Sequence, residues 1–131
     1  MRLWLNRPAK RNALTAELCH DLVHTLDRAS QDNTVGAILL AGRGESFCAG
    51  MDLEELAESD VDAISSAQEL LFTVNARLTK PLVGAVHGAA VAGGTGLVAN
   101  CHLVVATENA TFGLTDINLA FLKQRESCVE R

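Results

Sequence analysis

The stretch Pro81 to Gly96, PLVGAVHGAAVAGGTG, decides how this chain reads. An apolar run from Leu82 to Val86 gives way to small residues, then to the pair Gly93-Gly94 at the head of a further apolar segment. Glycine serves where backbone must approach something closely or take a positive φ. A helix that opens at such a pair presents unpaired N–H groups to whatever lies in front of it. The run therefore reads as a backbone donor site for a phosphate, a carboxylate or an oxyanion. The plainer alternative is tight helix–sheet packing with no ligand.

Two phosphate readings fail on residue type. Gly88 to Thr95, GAAVAGGT, lacks the lysine of a phosphate loop, because Gly94 stands there. Gly94-Thr95-Gly96 does not supply the spaced third glycine of a dinucleotide fingerprint. A second loop of the same character shifts the balance. Glu45 to Leu53 reads ESFCAGMDL: apolar Phe47, small Cys48 and Ala49, then Gly50 and Met51 before an aspartate that opens a helix. Two strand-to-helix turns can each aim an N–H at one point. Such a pair forms an oxyanion hole, in which each donor lowers a barrier by roughly 3 kcal/mol.

Outward from these loops, strand and helix patterns alternate. Leu3–Leu5 reads as a strand that ends at Asn6-Arg7-Pro8. Leu18, Leu22, Val23, Leu26 and Ala29 recur at helical spacing from Thr15, a suitable N-cap, to Ser30. Val35–Ala41 reads as a buried strand and Asp52–Ala57 as a short helix. A long amphipathic helix is expected from Asp60 to Leu78, with Ile64, Ala67, Leu71, Val74 and Leu78 on one face. Lys80-Pro81 ends it, since the residue before proline is pushed out of the helical region. Leu82–Val86 is the next strand, Gly94–Asn100 a helix, and Leu103–Ala106 a further strand. This alternation implies an α/β fold with βαβ crossovers.

Composition sets wide bounds. A length of 131 residues suits one domain with a real core, and a formal charge of −5 argues against a nucleic-acid or anionic-membrane surface. No apolar run approaches the roughly 20 residues that span a bilayer. The opening MRLWLNRPAKRNAL lacks the features of a secretory signal. Cys19, Cys48, Cys101 and Cys128 are widely spaced, which points to neither zinc nor a disulfide framework and makes a cytoplasmic location the expectation.

Four segments taken together resemble the enoyl-CoA hydratase/isomerase (crotonase) family. They are LNRPAKRNAL at Leu5–Leu14, SFCAGMDL at Ser46–Leu53, KPLVGAVHGAAVAGGTGL at Lys80–Leu97 and ATFGLTDI at Ala110–Ile117, in the family's order and spacing. The resemblance implies a crotonase-like spiral of ββα units that binds acyl-CoA thioesters and polarises the thioester carbonyl. It implies no cofactor beyond the coenzyme A of the substrate, and assembly as a homotrimer or hexamer. By the same resemblance the oxyanion donors are the backbone N–H groups of Met51 and Gly93. Lys10 and Arg11 correspond to basic positions near the CoA phosphates and adenine, and Ala49, Asp52 and Leu53 belong to the loop that binds the substrate.

The acid–base pattern departs from that of a hydratase. The first glutamate position falls on Gly96, which has no side chain, and the second on Asp116, a carboxylate one methylene shorter. A single carboxylate suits proton shuttling between two carbons, as in 3-enoyl to 2-enoyl isomerization, better than addition of water. Asp116 as a plain loop residue or cap is the competing reading.

Other residues read as structural. His20 and His24 lie on a solvated polar face. His87 and His102 are satisfied histidines, and Cys48 is a small buried hydrophobe. Glu54, Glu55 and Glu58 form an exposed acidic face. The resemblance covers residues 1–117 as a partial acyl-CoA-binding core, whereas 118–131, NLAFLKQRESCVER after Ile117, departs from it. On this reading the C-terminal helical part is missing, and apolar faces are expected to lie uncovered. Two function classes stand: an isomerase-like acyl-CoA enzyme, and a non-catalytic chain of the same fold that keeps weak CoA binding or a partner-interaction role.

Overall fold

The computed structural model describes residues 1–58 and 61–114. In chain order it contains β1 (Arg2–Leu5), a 3-10 turn (Pro8–Lys10), α1 (Ala16–Gln31), β2 (Ile38–Gly42), α2 (Leu53–Glu58) and α3 (Val61–Phe72). A second 3-10 turn (Val74–Arg77) leads to β3 (Leu82–Val86), β4 (Ala89–Val91), α4 (Gly93–Ala99), β5 (Leu103–Ala106) and β6 (Thr111–Gly113). Four strands form one sheet in the order β1-β2-β3-β5, every pair parallel, and β4 pairs with β6 in a second, smaller parallel sheet.

The helices follow their apolar spacing. Thr15 caps α1, its Oγ1 accepting from the Leu18 amide at 3.1 Å. Cys19, Leu22, Val23, Leu26 and Ala29 make the buried face of α1, which packs on α3 and shares one apolar cluster with its Ala67 and Leu71. A fully buried leucine such as Leu26 contributes about 2 kcal/mol by its removal from water. Among the described residues no helix is long and apolar enough to cross a membrane.

Three boundaries differ from the sequence reading. The strand expected over Val35–Ala41 begins at Ile38 and runs to Gly42. Asp32 accepts from the Thr34 amide and hydroxyl and its carbonyl takes the Val35 amide, so a turn occupies that stretch, and pairing starts where Ile38 donates to Pro81. Val35 is apolar because it is buried, not because it is paired. The long helix also stops earlier, at Phe72. There Thr73 Oγ1 bonds back to the Glu69 carbonyl at 2.7 Å, a competitor to the helical ladder, and the chain tightens into the 3-10 turn. The expected Asp60 cap lies outside the described residues. Finally, β4 and β6 are strands in segments to which the sequence reading assigned no element; three residues are too few to show a period.

The core runs between the main sheet and the helices, around Leu5, Ile38, Leu40, Phe47, Leu71, Leu82 and Leu97. The last strand of the main sheet is different. Leu103 is 60% and Val105 61% exposed, and Trp4 and Phe112 are also open to solvent.

Candidate functional site: two converging backbone loops

The first loop begins at buried Phe47 and runs beside β4 like a strand. Phe47 donates to the His87 carbonyl, Cys48 donates to Ala89, and Val91 donates back to Cys48. The chain then swings across to Leu14, which donates to the Gly50 carbonyl at 2.7 Å and accepts from the Asp52 amide at 2.9 Å. This parallel bridge uses the polar groups of Leu14 and of Met51's neighbours, so the N–H of Met51 itself points the other way. Gly50 sits at φ +96°, where a side chain would be strained.

Buried side chains fix both ends of this loop. Asn12, fully buried at φ +55°, donates to the Arg43 and Ser46 carbonyls at 2.8 Å each and accepts from the Arg7 amide at 2.8 Å. At the far end the Arg7 guanidinium meets Asp52 Oδ2 at 2.9 Å, and Asp52 Oδ1 accepts from the Glu54 and Glu55 amides at the start of α2. Burial opposes ionisation of Asp52, but Arg7 and the two amides outweigh it and hold the carboxyl below its ordinary range.

The second loop turns at Ala92. Its φ of +52° and ψ of −121° are rare for a residue with a Cβ and cost about 1–3 kcal/mol. The conformation is held by the Ala92 amide, which donates to Gly113 at 2.6 Å, and by the Ala92 carbonyl, which accepts from Thr95 and Gly96 at 3.0 and 3.2 Å. Thr95 Oγ1 ties the helix to both small strands through the Ala90 and Gly113 carbonyls. Among the described residues, neither the Met51 nor the Gly93 amide has an acceptor.

The loops touch at Gly50. A Cβ there would lie 2.7 Å from the Ala92 Cβ and 3.3 Å from the Gly93 nitrogen. The glycine pair divides its labour: a Cβ on Gly94 would stand 2.2 Å from the Cys48 carbonyl oxygen, so Gly94 serves close packing and Gly93 presents its amide. The packing reading holds at Gly94, and the amide that the donor reading needs belongs to its neighbour Gly93.

The remaining sequence candidates divide by place. Lys10 Nζ is 2.7 Å from both carboxylate oxygens of Glu54 on the surface, and Arg11 is exposed while its carbonyl takes the Ala49 amide. Ala49 is half-buried within the loop, and Leu53 is 58% exposed beside it. The Asp52 carboxylate is committed to Arg7 and the α2 cap. Asp116 lies outside the described residues. Glu55 departs from the expected exposed face, because its Oε2 accepts the Ala16 amide at 2.9 Å and helps to cap α1. His87 Nε2 meets the Gly44 carbonyl at 2.8 Å and His102 Nδ1 accepts the Leu82 amide at 3.0 Å, both structural as expected. Burial raises the Cys48 thiol to about 11, against a smaller opposing pull from the Gly50 amide, so it stays protonated. Sequence reasoning missed Asn12, Arg7 and Thr95. Only Asn12 carried a signal, since asparagine tolerates the left-handed region and stands just past a proline turn.

The profile of the enoyl-CoA hydratase/isomerase family matches residues 1–126. The chain belongs to that family. It is 40% identical over 121 residues to 2,3-dehydroadipyl-CoA hydratase of Escherichia coli, covering 92% of this chain and 48% of that one. It is 40% identical to 4-chlorobenzoyl coenzyme A dehalogenase-2 of an Arthrobacter species, covering 81% of this chain and 41% of that one. The structure of an enoyl-CoA hydratase from Mycobacterium smegmatis superposes with a TM-score of 0.84 at 35% identity, covering 90% of this chain and 48% of that one. The family member described here thus has the crotonase fold, and spans about half the length of the curated relatives it matches.

Proposed function

We propose that this crotonase-family chain binds an acyl-CoA thioester, with the Met51 and Gly93 amides as donors to the thioester oxygen. The observation that carries the reading is their arrangement: two backbone N–H groups without acceptors among the described residues, on loops in van der Waals contact, beside a strained Ala92 that fixes the direction of one of them. Backbone donors do not titrate, and their geometry is set before substrate arrives, which suits stabilisation of an enolate. Asp116 is the proton carrier in this reading. It removes the α-proton of a 3-enoyl thioester, the electron pair passes to the thioester oxygen, and the same proton returns to the γ-carbon as the double bond settles between the α- and β-carbons. The reaction is an isomerization, with no water added. Assembly as a trimer or a dimer of trimers belongs to the same reading.

A non-catalytic acyl-CoA binder is the second reading, favoured by Gly96, where a hydratase carboxylate has no side chain to stand on. Conversion of a 3-enoyl-CoA to the 2-enoyl-CoA by the purified chain, compared with Asp116→Ala, separates the two. The isomerase reading requires turnover that Asp116→Ala removes. Equal rates in both would take Asp116 out of the mechanism, and tight binding without turnover would favour the second reading. Failure to bind any acyl-CoA would end both.

A further inference from the structure

One aromatic ring stands beside Gly93. Phe72 closes α3, and its ring Cζ lies 3.7 Å from the position a Cβ on Gly93 would take. The ring's Cε1 and Cζ lie 3.1 and 3.3 Å from the corresponding point on Gly96. Gly93 and Gly96 share one face of α4, a turn apart, so the ring lies along the helix surface that follows the amide. A Cβ at residue 96 would sit closer to the ring than ordinary contact allows, so glycine there is what lets the ring lie this close to the helix. Leu14 Cδ1, 3.3 Å from the Gly93 Cβ position, adds a second apolar neighbour. Phe72 itself is only half-buried.

We propose that Phe72 is the wall that limits acyl length at this site and restricts the chain to short acyl thioesters. The inference rests on the thioester reading above. On this proposal an acyl chain whose carbonyl is held by the Gly93 amide, at about 2.9 Å, runs along the Gly93 flank of α4, where Phe72 is the aromatic neighbour. The ring offers nothing to the phosphates or amides of the coenzyme arm. It packs well against hydrocarbon.

Saturated butanoyl-CoA and octanoyl-CoA are titrated calorimetrically into the 131-residue chain and into Phe72→Ala, Phe72→Leu and Phe72→Trp, each checked for native circular dichroism. The expected result is a wild-type preference for butanoyl-CoA, shifted toward octanoyl-CoA by at least ~10-fold in Phe72→Ala, the scale of a few methylenes in an apolar pocket. Phe72→Leu should shift it in the same direction, and carries the test if the alanine variant does not fold. Phe72→Trp should shift it the opposite way. A wild-type chain that binds both thioesters, with an unchanged ratio in the folded variants, overturns the role of Phe72 and leaves the thioester reading intact. A wild-type chain that binds neither overturns both.

Discussion

The loop from Ser46 to Asp52 and the loop from Ala89 to Gly94 arrive at the same place, and they are held there by different physics. Side chains clamp the first: Asn12 at its entrance, and Arg7 with Asp52 at its exit. Backbone packing holds the second: Gly94 lies against the Cys48 carbonyl, and Ala92 is forced to a positive φ. A loop fixed by side chains gives way gradually as hydrogen bonds are removed. A loop fixed by close backbone approach tolerates no added atom.

The largest expected effect tests the packed loop. Gly94→Ala places a Cβ 2.2 Å from a backbone oxygen that has no rotamer to escape into. The cost should be about 3 kcal/mol or more, at the upper end of overpacking, read from the urea midpoint. A loss well below that would mean the loops separate easily, and the contrast would collapse.

Asn12→Ala comes next, on the clamped loop. It strands one amide donor and two carbonyl acceptors in a buried place and puts alanine at φ +55°. About 2–3 kcal/mol should be lost. Asn12→Gly removes the same hydrogen bonds without the strain, so the difference between the variants isolates the backbone term.

The exit clamp makes a smaller, pH-dependent contribution. The Asp52 carboxyl titrates lower in the folded chain than in the unfolded one, so its stabilisation is complete above the unfolded carboxylate range, about pH 4, and is lost as pH falls through the folded value. Asp52→Asn should cost about 1 kcal/mol at neutral pH, because Arg7 is a third exposed and screened. The variant should also flatten the acid limb of the stability curve. An acid limb unchanged by the substitution would remove Asp52 from the clamp.

Smallest is Lys10→Ala, just outside the first loop. Its pair with Glu54 is exposed on both sides, so stability should change by less than about 0.5 kcal/mol. Acyl-CoA titrations at low salt then decide its role. Weaker binding at unchanged stability assigns Lys10 to the coenzyme phosphates, and unchanged binding leaves it as the partner of Glu54.

Much of this was legible in the sequence for identifiable reasons. Leu82–Val86 and Leu103–Ala106 read correctly because each is bounded by turn or breaker residues. The α1 face was plain from its period and its Thr15 cap. The second sheet was not, since β4 and β6 have three residues each and owe their pairing to each other across an intervening helix. Thr73 ended α3 early through a bond to its own helix, a competition that apolar periodicity does not register.

The sequence alone marked two turns of small residues where backbone could come close, because a missing side chain is a property of residue type. It also determined the family, since four motifs in order have few other owners. Only the tertiary structure decided which of the two glycines is needed for space. Gly93 and Gly94 are alike in the chain, and differ because the Cys48 carbonyl lies against one of them. The Phe72 ring over Gly96 is likewise a meeting of residues far apart in sequence, and no local rule contains it.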